Sequence, residues 1–214
     1  MSDFGKFHPL FGKFGGYLSL LNLHSDDSVE AVARIMRIVR AGDVSADIDR
    51  LLRDANWRPH LVGGVAMIVA KDSAGPVSAA WRAVDCGSWV TPQLVACLAF
   101  ADHSFPDEVR SRLTSQWRLA DPEFDSDLER HVATGPGGPD ARSAKAVASL
   151  VAVCGLHDEL GEMAEAARAD AAVQAALSQD IDRSDDILRG WRSRLLEFLA
   201  GLGEVPRIRW LGRG

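Results

Sequence analysis

The chain has 214 residues, with 24 Lys and Arg against 30 Asp and Glu, which gives a formal net charge of −6. Hydrophobic residues make up 47% and charged residues 25%, a composition that is typical of a globular protein and excludes a largely disordered one. The negative charge opposes binding to nucleic-acid phosphates, so we expect no nucleic-acid partner. No apolar run approaches the roughly 20 residues of a membrane-spanning helix, and a membrane partner is not expected either.

The first 25 residues contain no cleavage site of a secretory signal, so we expect a cytoplasmic location. Three cysteines, Cys86, Cys97 and Cys154, lack the spacing of metal ligands and fit reduced thiols in that compartment. The chain has no G-x-S-x-G, H-E-x-x-H, C-x-x-C or Walker-type motif. We therefore predict no cofactor, no metal and no catalytic residue.

Residues 1–25 form a segment rich in Phe and Gly, in which the tetrapeptide Phe-Gly-Lys-Phe at residues 4–7 recurs at residues 11–14. Gly and Pro disfavour a long helix here. We interpret the segment as an arm whose aromatic side chains dock on the first helices. The alternative is an exposed aromatic segment that contacts a partner or a membrane surface.

From Asp26 onward the apolar residues follow a helical period. The pattern predicts a first helix that ends before Gly42, a second at residues 45–55 and a last one at residues 184–200. The predicted apolar face of the first helix consists of Val29, Val32, Ala33, Met36 and Val39; that of the second consists of Ile48, Leu51 and Leu52; and that of the last consists of Ile187, Leu188, Trp191, Leu195, Phe198 and Leu199.

An internal repeat lies between these helices. The residues that follow Trp57 share the pattern W-x-P-[HQ]-L-V-[GA]-x-[VL]-A with those that follow Trp89, at a period of about 33 residues. Pro59 and Pro92 occupy positions suited to the first turn of a helix. A second helix is predicted after each start, at residues 76–86 and 106–119, and a weaker third copy begins at Pro139.

This arrangement resembles the HEAT and armadillo class of helical-hairpin repeats over roughly residues 26–200. The resemblance implies an all-α fold: a right-handed superhelical stack of two to three helical hairpins, flanked by an N-terminal arm and a C-terminal helix. The implied boundaries are an arm at residues 1–25, one repeat domain at 26–203 and a basic tail at 204–214. Repeat proteins of this class present extended surfaces that bind macromolecules.

Trp57 and Trp89 precede equivalent helices, so we expect them at the same end of the stack, packed against each other across the turn. The alternative makes both part of a recognition surface together with Arg58, His60 and Gln93. Under that alternative the side chains of Arg58 and His60 point outward.

Two further groups have predicted roles. Gly63 and Gly64 indicate close contact between helices. Acidic residues follow one another in the connection after the second repeat, where we expect a solvated face or a docking surface for a basic partner, and no calcium loop because its glycine is missing. They are Asp121, Glu123, Asp125 and Asp127.

The leading functional hypothesis is a non-enzymatic bacterial protein-binding module, for example an immunity- or antitoxin-like protein that masks a basic partner. One alternative is a HEAT-like DNA-binding enzyme of the DNA-glycosylase type, in which Trp57, Arg58, Trp89 and Asp85 would form the site. The other is a membrane-surface protein anchored by the N-terminal arm.

Overall fold

The computed structural model describes residues 3–12, 16–70, 74–113 and 139–204, together with Pro206 and Ile208. These residues form helices and turns without a strand, as the predicted all-α fold requires. Short 3-10 helices span Gly5–Phe11, Leu18–Leu20 and Asp158–Leu160. The α-helices are α1 (Asp26–Arg40), α2 (Ser45–Arg53), α3 (Trp57–Val69), α4 (Ala74–Asp85), α5 (Thr91–Ala101), α6 (Phe105–Arg112), α7 (Pro139–Cys154), α8 (Gly161–Ala169), α9 (Ala171–Gln179) and α10 (Ser184–Gly201).

Helices α3 and α5 form the centre of the molecule. Nearly all of their residues are buried, and they contact each other along their length. Helices α1, α2 and α4 also contact α3, while α4, α7 and α10 contact α5. A helix surrounded in this way must be apolar on every side, which explains why neither α3 nor α5 has a polar face.

Two adjacent glycines bring α3 close to its neighbours. A Cβ atom on Gly63 would lie 2.8 Å from Leu52 Cγ on α2, and one on Gly64 would lie 3.0 Å from Cys97 Sγ on α5. Both distances are shorter than an ordinary carbon contact, so only glycine fits at these positions without displacing a neighbour. The predicted helix–helix contact at these glycines is confirmed.

The buried face of α1 differs from the predicted one. The structure buries Ala31 and Ile35 beside Val32 and Met36, whereas Val29, Ala33 and Val39 are only half-buried. The difference arises because α1 packs on α3 and on both N-terminal 3-10 helices, which together fix its rotation. The buried Ser28 hydroxyl supports this rotation by donating to the Ser19 carbonyl at 2.8 Å.

The N-terminal segment docks on the helices. Phe4, Phe7 and Leu10 are buried and belong to the same hydrophobic cluster as Leu195 and Leu199 of α10. The Phe4 and Phe11 rings contact each other, with centroids 4.5 Å apart. Among the described residues of the arm, Phe4 and Phe7 are therefore not exposed to a membrane or to a partner.

The remaining helix limits agree closely with prediction where both are described. Helix α2 buries Ile48, Leu51 and Leu52 as expected, and α10 begins at Ser184 as predicted. Within α10, Ile187 is exposed and Phe198 is half-buried, so the buried face is narrower than expected. The helix predicted at 106–119 corresponds to α6, which ends earlier, at Arg112, and residues 114–138 lie outside the described ranges. No helix in the described parts of the chain has the length and apolar character needed to cross a membrane.

Candidate functional site

Trp57 and Trp89 pack against each other as the repeat predicts. Their ring centroids lie 4.5 Å apart with the planes tilted by 59°, a favourable arrangement for two aromatic rings. Trp57 is only 9% exposed, whereas Trp89 is half-buried and keeps part of its surface open. The Arg58 guanidinium lies over the Trp57 ring, 4.8 Å from its centroid, and Arg58 is partly exposed.

His60 does not point outward, so that expectation is wrong. Its ring is buried, with Nε2 2.9 Å from the Asp54 carbonyl and Nδ1 2.8 Å from the Ser88 hydroxyl. Because a carbonyl can only accept, Nε2 carries the proton and donates to Asp54, and Nδ1 accepts from Ser88. Burial lowers the pKa of His60 to about 4, so the ring is neutral at neutral pH.

The hydrogen bond between the Ser88 hydroxyl and His60 Nδ1 resembles the one that joins a catalytic nucleophile to its general base. Both side chains are buried, at 3% and 4% exposure, and the lowered pKa of His60 makes the imidazole a weak base. The observed role of the pair is to fasten the start of α3 to the turn that leads to Trp89.

Gln93 is also buried, although it was expected to be exposed on a recognition surface, and it lines the groove described below. Its Nε2 donates to the Leu21 carbonyl at 3.3 Å and so holds the N-terminal segment against α5. Its Oε1 is buried and receives no hydrogen bond from the described residues. A buried amide oxygen without a donor lowers the stability of the folded chain, so the surroundings of this atom are a candidate binding site.

That space is a groove of about 210 Å³ at the N-terminal end of α5. It lies between the N-terminal segment, the start of α5, α7 and the start of α10. Ile187, which is 37% exposed, is at its edge, and Ile181, which is 85% exposed, comes directly before the groove residue Asp182. The lining consists of Leu21, Asn22, Trp89, Pro92, Gln93, Lys145, Asp182 and Ile187.

Lys145 supplies the groove with a bound ammonium group. Its Nζ lies 2.6 Å from Asp182 Oδ2, 3.4 Å from the Trp89 carbonyl and 5.8 Å from the centroid of the Trp89 ring. Lys145, Asp182 and Ile187 were not among the predicted site residues. A lysine within the apolar stretch 144–151, in a chain with few lysines, was the available signal for the first of them.

A larger depression of about 390 Å³ lies against α1. Its lining includes Asp27, Glu30 and Arg34, and it also reaches Gly16, which follows residues outside the described ranges. We place the candidate site at the groove instead, because the groove joins a partly open aromatic ring to a buried acceptor without a donor.

Asp85, the acidic residue of the DNA-glycosylase alternative, is engaged elsewhere. Arg112 binds it with two hydrogen bonds of 2.7 Å and lies 4.1 Å from the Trp81 ring centroid. Trp81 in turn donates to Asp102 at 2.7 Å. These contacts form a network that connects α4 with α6, and they occupy the carboxylate that the alternative requires.

The other predicted groups add no chemistry to the site. Asp121, Glu123, Asp125 and Asp127 lie outside the described residues. Within the described ranges, no three His, Cys, Asp or Glu side chains come together as metal ligands would. Burial raises the pKa of the Cys86, Cys97 and Cys154 thiols, that of Cys154 to about 12, so these groups stay protonated.

No protein-family model matches this chain, and the comparisons with curated proteins and with solved structures gave no match either.

Proposed function

We propose that the protein is a non-enzymatic protein-binding module and that its partner binds at the groove beside Trp89. The observation that carries this proposal is the combination of features in one small groove. It offers a partly open Trp89 ring, the exposed Ile187 side chain and the buried Gln93 oxygen without a donor. Aromatic anchors next to pockets contribute much of the energy of protein interfaces.

Trp57 is the buried residue against which the Trp89 ring packs. The Trp57 ring packs against the Trp89 ring, which restricts its movement, and the Arg58 guanidinium lies over Trp57. A rigid aromatic side chain loses little conformational entropy when a partner binds it. The two interpretations of the tryptophan pair are thus compatible: Trp57 is a packing residue, and Trp89 adds a contact surface.

A concrete version of this function is an immunity- or antitoxin-like protein that masks a basic partner in the bacterial cytoplasm. The net charge of −6 supports it, because an acidic surface accelerates capture of a basic protein. The HEAT-like stack belongs to the same proposal. The contacts of α3 with α5 and with α4 support it, since α3 and α5 begin the two predicted repeats and α4 is the second helix of the first one.

The test is recovery of partners from the native host by the tagged chain, at low and at high salt. The variants are Ile187→Ser, at the groove, and Val77→Ser as a control. Val77 is a half-buried aliphatic residue in the first turn of α4, at the end opposite the turn that leads to Trp89. We expect a protein partner at low salt, less of it at high salt, and its loss with Ile187→Ser but not with Val77→Ser.

Recovery of no protein partner would contradict the proposed function. Equal recovery by Ile187→Ser and the wild-type chain would show that the groove is not where the partner binds. Melting temperatures of both variants, measured alongside, show that each is folded.

A further inference from the structure

The polar atoms around the groove are mostly hydrogen-bond acceptors. Three are backbone carbonyls, and each already receives one donor from the chain: Leu21 from Gln93 Nε2, Asn22 from Arg194 Nη1 at 2.8 Å, and Trp89 from Lys145 Nζ. The Asp182 carboxylate and Gln93 Oε1 are further acceptors. Lys145 and Arg194 each donate to one of these carbonyls, and the Asp182 carboxylate keeps acceptor positions beyond its contact with Lys145.

The orientation of the Gln93 amide is fixed by its neighbour. The Leu21 carbonyl requires a donor, and Gln93 Nε2 supplies it at 3.3 Å. Rotating the amide by 180° would place two oxygens against each other, which is unfavourable. The remaining atom of the amide is therefore an acceptor, and it is buried among the groove residues without a donor from the described part of the chain.

Lys145 shows what kind of group this environment holds. Its ammonium is bound by a carboxylate, a carbonyl and an aromatic ring at the same time. The Lys145 side chain is only 11% exposed, whereas that of Asp182 is 44% exposed. Asp182 thus keeps acceptor positions open to solvent after it has paired with Lys145, because a carboxylate has about four of them.

We infer that the groove binds an arginine side chain carried by an apolar segment of the partner protein; this inference rests on the proposed function. A guanidinium is planar and has five N–H groups, so it can donate to the partly exposed Asp182 carboxylate while it stacks on Trp89. An ammonium presents three donors from a single point and matches this spread of acceptors less well. The apolar neighbours of the arginine contact Pro92 and the exposed Ile187.

The charge of the chain agrees with this choice. Its net charge of −6 attracts a basic segment from a distance, and the groove selects among such segments by shape and by hydrogen bonding. The positive charge of Lys145 repels other cations, so a cationic ligand binds here only if its hydrogen bonds to the groove offset that repulsion.

The probe is the blocked tetrapeptide Ac-Leu-Arg-Leu-Leu-NH2, compared with the peptide in which citrulline replaces arginine. Binding to the full chain is measured by NMR titration at about 150 mM salt, where the Debye length is about 8 Å and distant charges are screened. We expect the arginine peptide to bind about tenfold more tightly than the citrulline peptide, because hydrogen bonds to a charged group are stronger than neutral ones.

Two variants locate the effect. Asp182→Asn should reduce the affinity for the arginine peptide to the level of the citrulline peptide. Asp107→Asn is the control: Asp107 is also an exposed carboxylate, paired with Arg110 at 2.6 Å, but α6 follows the C-terminal end of α5, whereas the groove is at the N-terminal end. It should leave the affinity unchanged.

Equal affinity for the two peptides, or an unchanged affinity in Asp182→Asn, would overturn the inference. If that happens while Ile187→Ser still loses the partner recovered from the host, only the choice of arginine is wrong. If Ile187→Ser keeps the partner, the proposed function of the groove is wrong as well.

Discussion

His60 is the residue whose environment has the clearest consequence in solution. Its pKa is lowered by burial to about 4, against an ordinary value of 6.5. Above about pH 6.5 the ring is neutral in both the folded and the unfolded chain, and the stabilising contribution of His60 is complete. As the pH falls toward 4 this contribution is lost, because the unfolded chain binds a proton that the folded chain does not. We predict that the free energy of unfolding decreases by about 3 kcal/mol over this interval on account of His60.

An NMR titration of the imidazole C–H signals measures this directly and separates His60 from His157, whose pKa is also lowered by burial and by nearby Arg192. We expect the His60 signals to shift only near pH 4. A midpoint at pH 6.5 or above would contradict the buried, neutral arrangement with Asp54 and Ser88.

Trp57 and Arg58 are neighbours with different expected effects on stability. Trp57→Ala removes a buried ring that contacts Trp89, and we expect it to lower the free energy of unfolding by about 3 to 5 kcal/mol. Arg58→Ala removes a partly exposed cation over that ring and should cost about 0.5 to 1 kcal/mol. Denaturant unfolding of both variants is the measurement, and an unchanged midpoint for Trp57→Ala would show that the ring does not pack as described.

Gly63 and Gly190 form a matched pair of helical glycines. The added methyl of Gly63→Ala would lie 2.8 Å from Leu52 Cγ, so we expect a loss of about 1 to 3 kcal/mol from overpacking. A methyl at Gly190 would come no closer than 3.6 Å to its nearest neighbour outside the local helix backbone, the end of the flexible Arg194 side chain. Gly190→Ala should therefore stabilise by up to about 1 kcal/mol through helix propensity. Thermal unfolding of the two variants should thus shift in opposite directions, and a shift in the same direction would contradict the close α2–α3 contact.

At the scale of the helices, the sequence predicted those elements whose apolar residues are periodic. Helix α2 begins at Ser45 and α10 at Ser184, as expected. The buried face of α1 was predicted less well because both of its flanks are partly apolar. Its rotation depends on contacts with α3 and the N-terminal 3-10 helices, which no local pattern contains.

The unexpected burial of His60 and of Gln93 has one physical cause. His60 and Gln93 are single polar residues in α3 and α5, which are apolar on all sides, so no polar face indicates where their side chains point. Their partners Ser88 and Leu21 are 28 and 72 residues away in the chain. The Trp57–Trp89 contact could be predicted because the repeat makes the two positions equivalent, whereas Lys145 and Asp182 meet only through the packing of α7 beside α5 and α10.

At the scale of the whole molecule, one hydrophobic cluster joins the N-terminal segment to α10. Phe7 is fully buried in it, together with Leu195 and Leu199. We predict that Phe7→Ala lowers the free energy of unfolding by about 3 to 5 kcal/mol, as for other buried aromatic residues. Denaturant unfolding measures this loss, and an unchanged stability together with loss of vesicle binding would favour the membrane-anchored alternative instead.

The groove depends on the same long-range packing, because its walls come from the N-terminal segment, α5, α7 and α10. The most direct test of its role is hydrogen–deuterium exchange of the chain alone and in complex with the partner recovered from the host. We predict slower exchange at residues 19–23 and 180–187 in the complex and no change in α6. Protection of α6 with unchanged exchange at 19–23 and 180–187 would contradict the assignment of this groove as the binding site.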